Sequence, residues 1–276
     1  MKAFVKSPCS SLLPFVERLW YFDHYFDQTY TTRVIPKINP FITICLHDLP
    51  NVLIEGQGVR QSAAWSINGL IDKSAAALEL TGNMRMIGIE LKPYSPYYLS
   101  GCQAEVFVND HVCMSHFVPQ QAMNRLMEEI DGCNDPRMVL ECVEKMLSSL
   151  FKPYEMYAGK ERMIAIIEQV GRYDSQDDTI TRLARESAMS TRNFQRKFKA
   201  MVGISPKSWI EKIRLNRLIE TLRSYDQVSL ESCAYEHGFS DVSHMYKFFK
   251  KHKLVPPAQL RCDIESVDRT MLNYSF

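Results

Sequence analysis

Two stretches of the chain place cationic and amide side chains at the spacing of one exposed helix face. They cover residues 183–199 and 233–250. In each stretch an apolar i, i+4 pair follows a turn and predicts the buried face of a helix. The outward residues are then Arg192, Gln195, Arg196, Lys197 and Lys199 in the first stretch, and Ser243, His244, Lys247, Lys250 and Lys251 in the second. Arginine, glutamine and serine suit base edges and lysine suits phosphates, so this pattern indicates nucleic-acid recognition.

The elements that must position these side chains are two helix-turn-helix units, repeated about fifty residues apart. Ala184 and Ala234 allow two helices to cross closely in each unit. Ser190 and Ser240 are expected to be the N-caps of the two recognition helices. A pair of solvated amphipathic helices is the alternative interpretation. The duplication of the basic face argues against it.

A single long helix is predicted between the two units. Ser205 resembles an N-cap and Pro206 a first-turn proline, and a helical apolar pattern continues through Ser224. About nineteen residues would span roughly 28 Å. Successive major grooves on one face of a duplex lie roughly 34 Å apart. With the offset of each recognition helix, this spacer fits a monomer that reads two adjacent grooves.

The stretch from about residue 160 to 261 resembles the DNA-binding domain of the AraC/XylS family of bacterial transcription regulators. The matching residues are Leu183, Ala184, Ser190, Phe194, Arg196, Phe198, Lys199, Gly203, Ile204, Ser205, Pro206, Arg214, Ala234, Gly238, Phe239, Ser240, Phe249, Lys250, Pro257 and Arg261. The resemblance implies an all-helical domain with two helix-turn-helix units.

The same resemblance implies roles for individual side chains. Bases would be read from the first recognition helix by Arg192, Gln195 and Arg196. The second helix, often less specific in the family, would use Ser243, His244 and Lys247. We expect the phosphate contacts to come from Lys199, Lys207, Lys250 and Lys251.

Two departures from the family pattern bear on this expectation. Ala188 stands where the family usually has glycine, so a left-handed backbone there would be strained by up to about 2 kcal/mol. Residues 253–257 replace the usual Gly-x-Thr-Pro, which predicts a different end to the last helix. Because Val242 and His244 make the second face less polar, we expect the first unit to carry most of the specificity.

Length and charge predict two domains with different tasks. The chain has 276 residues and a formal charge of +1, but residues 158–262 hold 19 Lys and Arg against 12 Asp and Glu. Residues 1–157 hold 13 against 17, so the basic part coincides with the repeat. No apolar run approaches the ~18 residues of a membrane span, and no signal-peptide core is present. The eight scattered cysteines indicate reduced cytosolic thiols rather than a disulfide framework.

The N-terminal half predicts short strands separated by turns, as in a small barrel or sandwich. The expected strands cover residues 31–35, 41–46, 52–55, 65–67, 76–80 and 85–91, with a hairpin-like turn at Thr81–Asn83. Helices are predicted at 119–130 and 136–151. The expected fold is therefore α+β with two domains: a regulatory domain at 1–152, a linker at 153–159, a DNA-binding domain at 160–262 that opens with a helix at 160–173, and a tail at 263–276.

This half resembles an uncharacterised β-rich domain that precedes the helix-turn-helix domain in some regulators of the same family. The likeness lies in Val34-Ile35-Pro36, the Asn68-Gly69 turn and residues 82–93, and it implies effector sensing or dimerisation but names no ligand. Candidate effector contacts are Trp20, Tyr21, Tyr25, Arg33, Trp65 and Arg85. For the four aromatic residues an ordinary aromatic core is the favoured interpretation, and for the two arginines a solvated outer face explains the pattern at least as well. His111, Cys113 and His116 have metal-ligand types without a clear fourth ligand, so ordinary loop and core roles are favoured over a metal site.

The sequence thus predicts a cytoplasmic bacterial transcription regulator without enzyme activity or cofactor. Its partners would be double-stranded promoter DNA, RNA polymerase, an unknown small-molecule effector and a second copy of the chain. One alternative is a DNA-repair alkyl acceptor fused to a DNA reader, which needs an activated cysteine. Another is a DNA-binding module whose N-terminal half only dimerises. The isolated cysteines, and the absence of nucleotide-binding, hydrolase and metalloprotease motifs, argue against an enzyme.

Overall fold

The protein is described by a computed structural model that covers residues 1–34, 38–70, 76–151, 161–170, 179–224, 229–254 and 256–258. The predicted linker at 153–159, the tail at 263–276 and Arg261 lie outside these residues. Within them, an antiparallel sheet dominates the N-terminal half and helices dominate the C-terminal half. The predicted α+β class is confirmed. No helix in these ranges is both long enough and apolar enough to cross a bilayer.

The described strands form one eight-stranded sheet in the order β1-β2-β7-β3-β6-β8, with β4 pairing with β5 and β7. Its strands are β1 (Lys2–Lys6), β2 (Val16–Val34), β3 (Phe41–Cys45), β4 (Asn51–Ile54), β5 (Gly58–Gln61), β6 (Trp65–Asn68), β7 (Ala76–Leu91) and β8 (His111–Cys113).

The short strands predicted at 41–46, 52–55 and 65–67 are confirmed as β3, β4 and β6, but the predicted turn at Thr81–Asn83, with separate strands at 76–80 and 85–91, is wrong. β7 runs unbroken through this region, and Gly82 lies inside it with a φ of 79°. Opposite it, the pairing of β2 shifts between Phe26 and Tyr30, so β2 bulges and both strands continue. Gly82 and its polar neighbours are typical of a turn, but a glycine in the left-handed conformation also occurs in β-bulges.

The two helices predicted after the strands are present, and they cover one face of this sheet. They are α2 (Gln120–Ile130) and α3 (Pro136–Leu150), and the predicted cap at Asp135 accepts from the Arg137 backbone N–H at 2.9 Å. Fully buried sheet residues such as Leu19 and Ile89 share a cluster with Val143 of α3. The opposite face carries a separate cluster that includes Phe22, Phe26, Leu80, Met84 and Met86.

After α1 (Ser95–Ser100), a one-turn 3-10 helix at Ala104–Phe107, here called the 104–107 turn, leads to β8. The C-terminal half contains α4 (Glu161–Val170), α5 (Thr179–Glu186), α6 (Thr191–Val202), α7 (Pro206–Ser224), α8 (Leu230–Glu236) and α9 (Val242–Lys251). The helix predicted at 160–173 is confirmed over the described α4, and α7 has the predicted bounds.

The spacer helix α7 serves two cores rather than one. Trp209, Ile210 and Ile213 pack with the first helix-turn-helix unit, whereas Leu218 and Leu222 pack with the second. All five are at most 7% exposed. The apolar residues of α7 therefore do not lie on a single stripe, since each end of the helix turns toward a different unit.

Candidate nucleic-acid interface

The turns of the two helix-turn-helix units have the same backbone hydrogen bonds. In the first unit the amides of Ser187, Ala188 and Met189 donate to the carbonyls of Leu183, Arg185 and Ala184 at 2.9, 2.9 and 3.0 Å. In the second unit the corresponding bonds join residues 237, 238 and 239 to residues 233, 235 and 234, at 3.2, 3.0 and 2.8 Å. The sequence repeat is therefore a structural repeat.

The left-handed position in this repeated turn is filled differently in the two units. Gly238 has a φ of 70°, and the equivalent Ala188 has a φ of 53°. The expected strain at Ala188 is thus present, because a Cβ crowds the following carbonyl in this conformation. Ala188 is exposed, so no packing around its methyl group offsets the strain.

The N-caps of the recognition helices match the prediction in the first unit only. Ser190 accepts from the Asn193 backbone N–H at 3.4 Å. In the second unit Ser240 is not the cap; Asp241 accepts from the His244 N–H at 2.8 Å, and Ser240 donates to the Asp241 carboxylate at 3.0 Å. The extra residue in this turn moves the cap one position along. Both hydrogen bonds stabilise the charged Asp241 carboxylate and hold its pKa below the usual value. The His244 backbone amide makes the largest contribution.

The predicted reading faces are exposed on both recognition helices. Phe194 and Phe198 of α6 and Met245 and Phe249 of α9 are at most 1% exposed, which confirms the inward pairs. Exposed side chains occupy the other faces: Arg192, Gln195, Arg196 and Lys199 on α6, and Ser243, His244, Lys247, Lys250 and Lys251 on α9.

Alignment of the two helices on their caps reveals a residue equivalent to a predicted reading residue that sequence reasoning missed. Asp241 corresponds to Ser190, so Tyr246 corresponds to Gln195 and His244 to Asn193. Tyr246 is half-buried, with its ring against the core of the second unit. The aspartate after Ser240 was the available signal, since aspartate caps helices as well as serine does.

One arginine of the reading face is held by a neighbour on its own helix. Nη2 of Arg196 donates to Oδ1 of Asn193 at 3.0 Å. A guanidinium has five N–H donors, so this bond leaves a two-donor edge available for a base. At the position equivalent to Asn193, His244 lies edge-on to Phe239, with ring centroids 5.3 Å apart, and within 3.3 Å of Ser240 Oγ.

Arg214 of α7 fixes the second unit to the spacer. Its Nε donates to the His237 carbonyl at 2.8 Å, and its guanidinium carbon lies 3.9 Å from the ring centroid of Phe239 and 5.5 Å from that of Phe248. Nε2 of His237 in turn lies 2.9 Å from Oγ1 of Thr221. At the start of α7, Ser205 accepts from the Ser208 N–H at 3.1 Å, which confirms the predicted cap.

The lysines assigned to phosphates occupy three settings. Lys207 and Lys250 are exposed. Lys251 pairs with Glu211 of α7 at 2.6 Å. Lys199 at the end of α6 pairs with Glu105 in the 104–107 turn of the N-terminal half. Sequence reasoning did not anticipate a partner from that half.

The candidate effector residues do not form one group. Trp20 and Tyr21 lie on opposite faces of β2, as strand alternation requires. Tyr21 and Trp65 belong to the core beneath the helices, and Nε of Arg85 donates to Tyr21 Oη at 2.8 Å. Burial raises the pKa of Tyr21. Tyr25 is 68% exposed. Arg33 lies in β2, but its side chain is outside the described set.

Around Trp20 the structure gathers polar residues that sequence reasoning missed. The Trp20 indole lies against Gly88, where an added Cβ would be 1.9 Å from Cε2 of the ring. On the same face Nε of Arg18 lies 2.6 Å from the buried Glu90 carboxylate, and Asn68 donates to Thr43 Oγ1 at 3.0 Å. The signal was available, because Arg18 and Trp20 are two residues apart on one strand.

Within the described residues no metal cluster emerges, and the pKa values of two thiols are raised. His111 and Cys113 lie on β8 and His116 in the short turn after it, but no group of three potential ligands comes together in this part of the chain. Burial raises the pKa of Cys45 to about 12, and burial followed by the Glu129 carboxylate raises that of Cys142. Both thiols are therefore kept in their unreactive protonated form.

Comparison with known proteins gives a match in each half of the chain. Residues 183–262 match a family model described as a helix-turn-helix domain, and residues 6–113 match DUF6597, a domain of unknown function. An uncharacterized HTH-type transcriptional regulator of Haemophilus influenzae is 33% identical over 99 residues, which cover 36% of this chain and 32% of that protein. The HTH-type transcriptional activator RhaS of Mannheimia succiniciproducens is 30% identical over 79 residues, or 29% of each chain. The chain thus aligns with about a third of the length of these curated relatives.

Among solved structures, unsaturated fatty acid-bound ToxT of Vibrio cholerae superposes with a TM-score of 0.47 and 14% identity, over 94% of each chain. The family matches and the sequence relatives agree with the repeated helix-turn-helix geometry of residues 183–254. Residues 183–262 are therefore similar to AraC-type helix-turn-helix domains, and residues 6–113 are similar to the DUF6597 domain.

Proposed function

We propose that this protein is a sequence-specific DNA-binding transcription regulator that inserts α6 and α9 into successive major grooves of a promoter. The observation that carries the proposal is the duplicated turn with an exposed cationic face on the helix after it. The spacer supports the same conclusion, because 19 helical residues span roughly 28 Å and adjacent grooves lie roughly 34 Å apart. Such a protein acts in the bacterial cytoplasm, on double-stranded DNA and alongside RNA polymerase.

Within this function we propose that Arg192, Gln195 and Arg196 of the first unit contact the DNA bases. The second unit contributes Ser243, His244 and Lys247, with Tyr246 added on the structural alignment. Phosphates would be bound by Lys199, Lys207, Lys250 and Lys251. The domain limits proposed with these roles are 1–152 and 160–262, joined by residues 153–159.

The function is tested by selecting bound sequences from a random DNA pool with the intact protein. A selected DNA site with two half-sites about one helical turn apart would indicate a monomer that reads two grooves. Two such DNA sites in palindromic arrangement would indicate a dimer. Recovery of no preferred sequence would contradict sequence-specific regulation.

The role of Arg196 gives the first residue-level prediction. Arg196→Ala should cost about 1–3 kcal/mol of binding and relax the preference at one base position, since a forked arginine discriminates guanine. Binding is measured on the selected site and on its single-base variants. Lys207→Ala is the matched control, which should weaken all sites equally through one lost phosphate contact. An equal loss on every site for Arg196→Ala would mean that it contacts only phosphate.

The N-terminal domain is proposed to control this activity, either by binding a small-molecule effector or by dimerising. The polar residues beside Trp20 support the first alternative, because charged and neutral hydrogen-bonding groups there adjoin an aromatic face. Sedimentation and a small-molecule thermal-shift screen separate the two. A true effector raises the melting temperature and changes DNA affinity. A self-associating domain without an effector changes only the sedimentation coefficient with concentration.

We propose no enzyme activity for the chain. The alkyl-acceptor alternative needs a thiolate of lowered pKa, whereas burial raises the pKa of Cys45 and of Cys142. Stoichiometric methyl transfer from alkylated DNA to one cysteine, measured by mass spectrometry, would overturn this part of the proposal.

A further inference from the structure

The two halves of the protein meet at the C-terminal end of the first recognition helix. Gly203 ends α6 with a φ of 95° and lies against the 104–107 turn. A Cβ at Gly203 would approach the Ala104 carbonyl oxygen to 2.9 Å and Cγ2 of Val108 to 2.7 Å. Only glycine allows this close approach of the two backbones.

This contact continues into a shared apolar core. Leu70 and Tyr94 of the N-terminal half belong to the same buried cluster as Phe198 and Met201 of α6. Tyr94 Oη also lies 2.8 Å from the Glu168 carboxylate of α4 and 2.9 Å from the Pro14 carbonyl. The N-terminal domain is therefore packed directly behind the helix proposed to read DNA.

Acidic residues of the N-terminal half meet basic residues of both helix-turn-helix units across this boundary. Glu105 pairs with Lys199 at the end of α6, where the side chains remain 38% and 50% exposed. Glu55 pairs at 2.6 Å with Lys253, just after α9. These pairs follow the division of charge between the two halves, since the first half is acidic and the repeat is basic.

We propose that Glu105 is an internal competitor of the DNA backbone for Lys199. The inference rests on the proposed function, in which Lys199 binds a phosphate. A carboxylate at the lysine ammonium partly neutralises the charge that the phosphate needs, and it repels the phosphate as well. A signal in the N-terminal domain that moved the 104–107 turn would then free the end of the recognition helix.

The pair also has a purely structural interpretation. A lysine in the last turn of a helix stabilises the helix dipole, and a carboxylate beside it would add only a weak surface ion pair. Removal of Glu105 would then leave DNA affinity unchanged apart from the general effect of one lost negative charge. The two interpretations differ in a measurable quantity.

The experiment compares two full-length variants with the same change in net charge. Glu105→Gln removes the carboxylate at Lys199, and Glu129→Gln removes an exposed carboxylate whose partner, Lys145 at 3.5 Å, lies in the N-terminal helices. Affinity for the selected DNA site is measured over a range of salt concentrations. We expect Glu105→Gln to bind about two- to fivefold more tightly than Glu129→Gln, which is the range for an exposed ion pair.

A second comparison shows whether the gain passes through Lys199. In a Lys199→Gln background, Glu105→Gln and Glu129→Gln should bind equally, because the competition has been removed. The slope of log affinity against log salt is negative for a DNA-binding protein. Lys199→Gln alone should make this slope shallower by about 0.9, as expected for one lost phosphate contact.

The possible outcomes distinguish a failure of this inference from a failure of the proposed DNA-binding function on which it rests. Equal affinities for Glu105→Gln and Glu129→Gln in the otherwise wild-type protein, with a selected site still bound, would overturn the competition and leave the regulator intact. An advantage of Glu105→Gln that persists without Lys199 would overturn it as well. Failure of the unmodified protein to bind any DNA would instead reject the proposed function.

Discussion

At the scale of single residues, Ala188 shows how one unit of the repeat departs from the other without losing its shape. The same three hydrogen bonds close both turns, although one left-handed position is alanine and the other is Gly238. A turn held by several backbone bonds and by helices packed on either side can keep one strained residue. The first unit therefore gives up some stability at a position that contributes no buried surface.

This difference leads to a prediction about stability. Ala188→Gly should stabilise the protein by about 0.5–1 kcal/mol, because relief of left-handed strain exceeds the entropy that glycine loses on folding. Gly238→Ala is the reverse test and should destabilise by about 1 kcal/mol. A Cβ there would meet only Nη2 of Arg214, at 3.6 Å, so steric overlap contributes nothing.

Urea unfolding of both variants measures the effect. The prediction about Ala188 would be contradicted if Ala188→Gly were less stable than the wild type, since entropy would then outweigh strain. DNA affinity, measured under conditions in which all variants are fully folded, should not change, because neither turn residue belongs to the proposed reading faces.

At the scale of elements, α7 determines how the two recognition helices are related. Its N-terminal half contributes to the core of the first unit and its C-terminal half to the core of the second. Arg214 lies near the boundary and joins the helix to the second turn through a hydrogen bond and an aromatic face. The orientation of α9 therefore depends on a side chain as well as on the apolar packing of α7.

Arg214→Lys tests this role while preserving the net charge. A lysine lacks the planar guanidinium that stacks on Phe239 while donating to the His237 carbonyl, so we expect a loss of about 1–3 kcal/mol in unfolding free energy. Affinity should fall more for a DNA site with both half-sites than for one with only the first. An equal loss on the two sites would show that Arg214 does not orient the second unit.

At the scale of the whole molecule, the N-terminal domain and the helix-turn-helix domain share a buried cluster. Tyr94 is central to it, with 1% of its surface exposed and its hydroxyl group between the Pro14 carbonyl and the Glu168 carboxylate. In the proposed regulation, a signal would pass from the N-terminal domain to α6 through these packed side chains and the 104–107 turn. Such coupling requires that domain contact contributes measurably to stability.

Tyr94→Phe measures that contribution. Loss of the hydroxyl group should destabilise the full-length protein by about 1–3 kcal/mol, because the Glu168 carboxylate and the Pro14 carbonyl lose the single O–H donor that they share. Tyr25→Phe is the control, with an exposed side chain and an expected change within about 0.5 kcal/mol. Equal stabilities of the two variants in urea would mean that the hydroxyl group does not hold the halves together.

Much of the DNA-binding half could be predicted because its signals are local. The inward pair Phe194 and Phe198, the cap at Ser190 and the bounds of α7 follow from helical period and capping chemistry within a few residues. The misplaced cap at Ser240 was also a local question, between two neighbouring residues that both cap helices. In the sheet, Gly82 predicts a turn but lies inside β7, because a glycine of positive φ occurs in hairpin turns and in bulges alike.

The sequence alone determined the repeat, the exposed cationic helix faces and the length of the spacer, since each depends on residues close together in the chain. Only the tertiary structure decided that Trp20 packs on Gly88 of the neighbouring strand and that Lys199 meets Glu105. The register of β2 against β7 and the docking of the 104–107 turn on α6 join residues far apart in the chain. Such contacts are fixed by the packing of the whole molecule, which no local pattern of residues specifies.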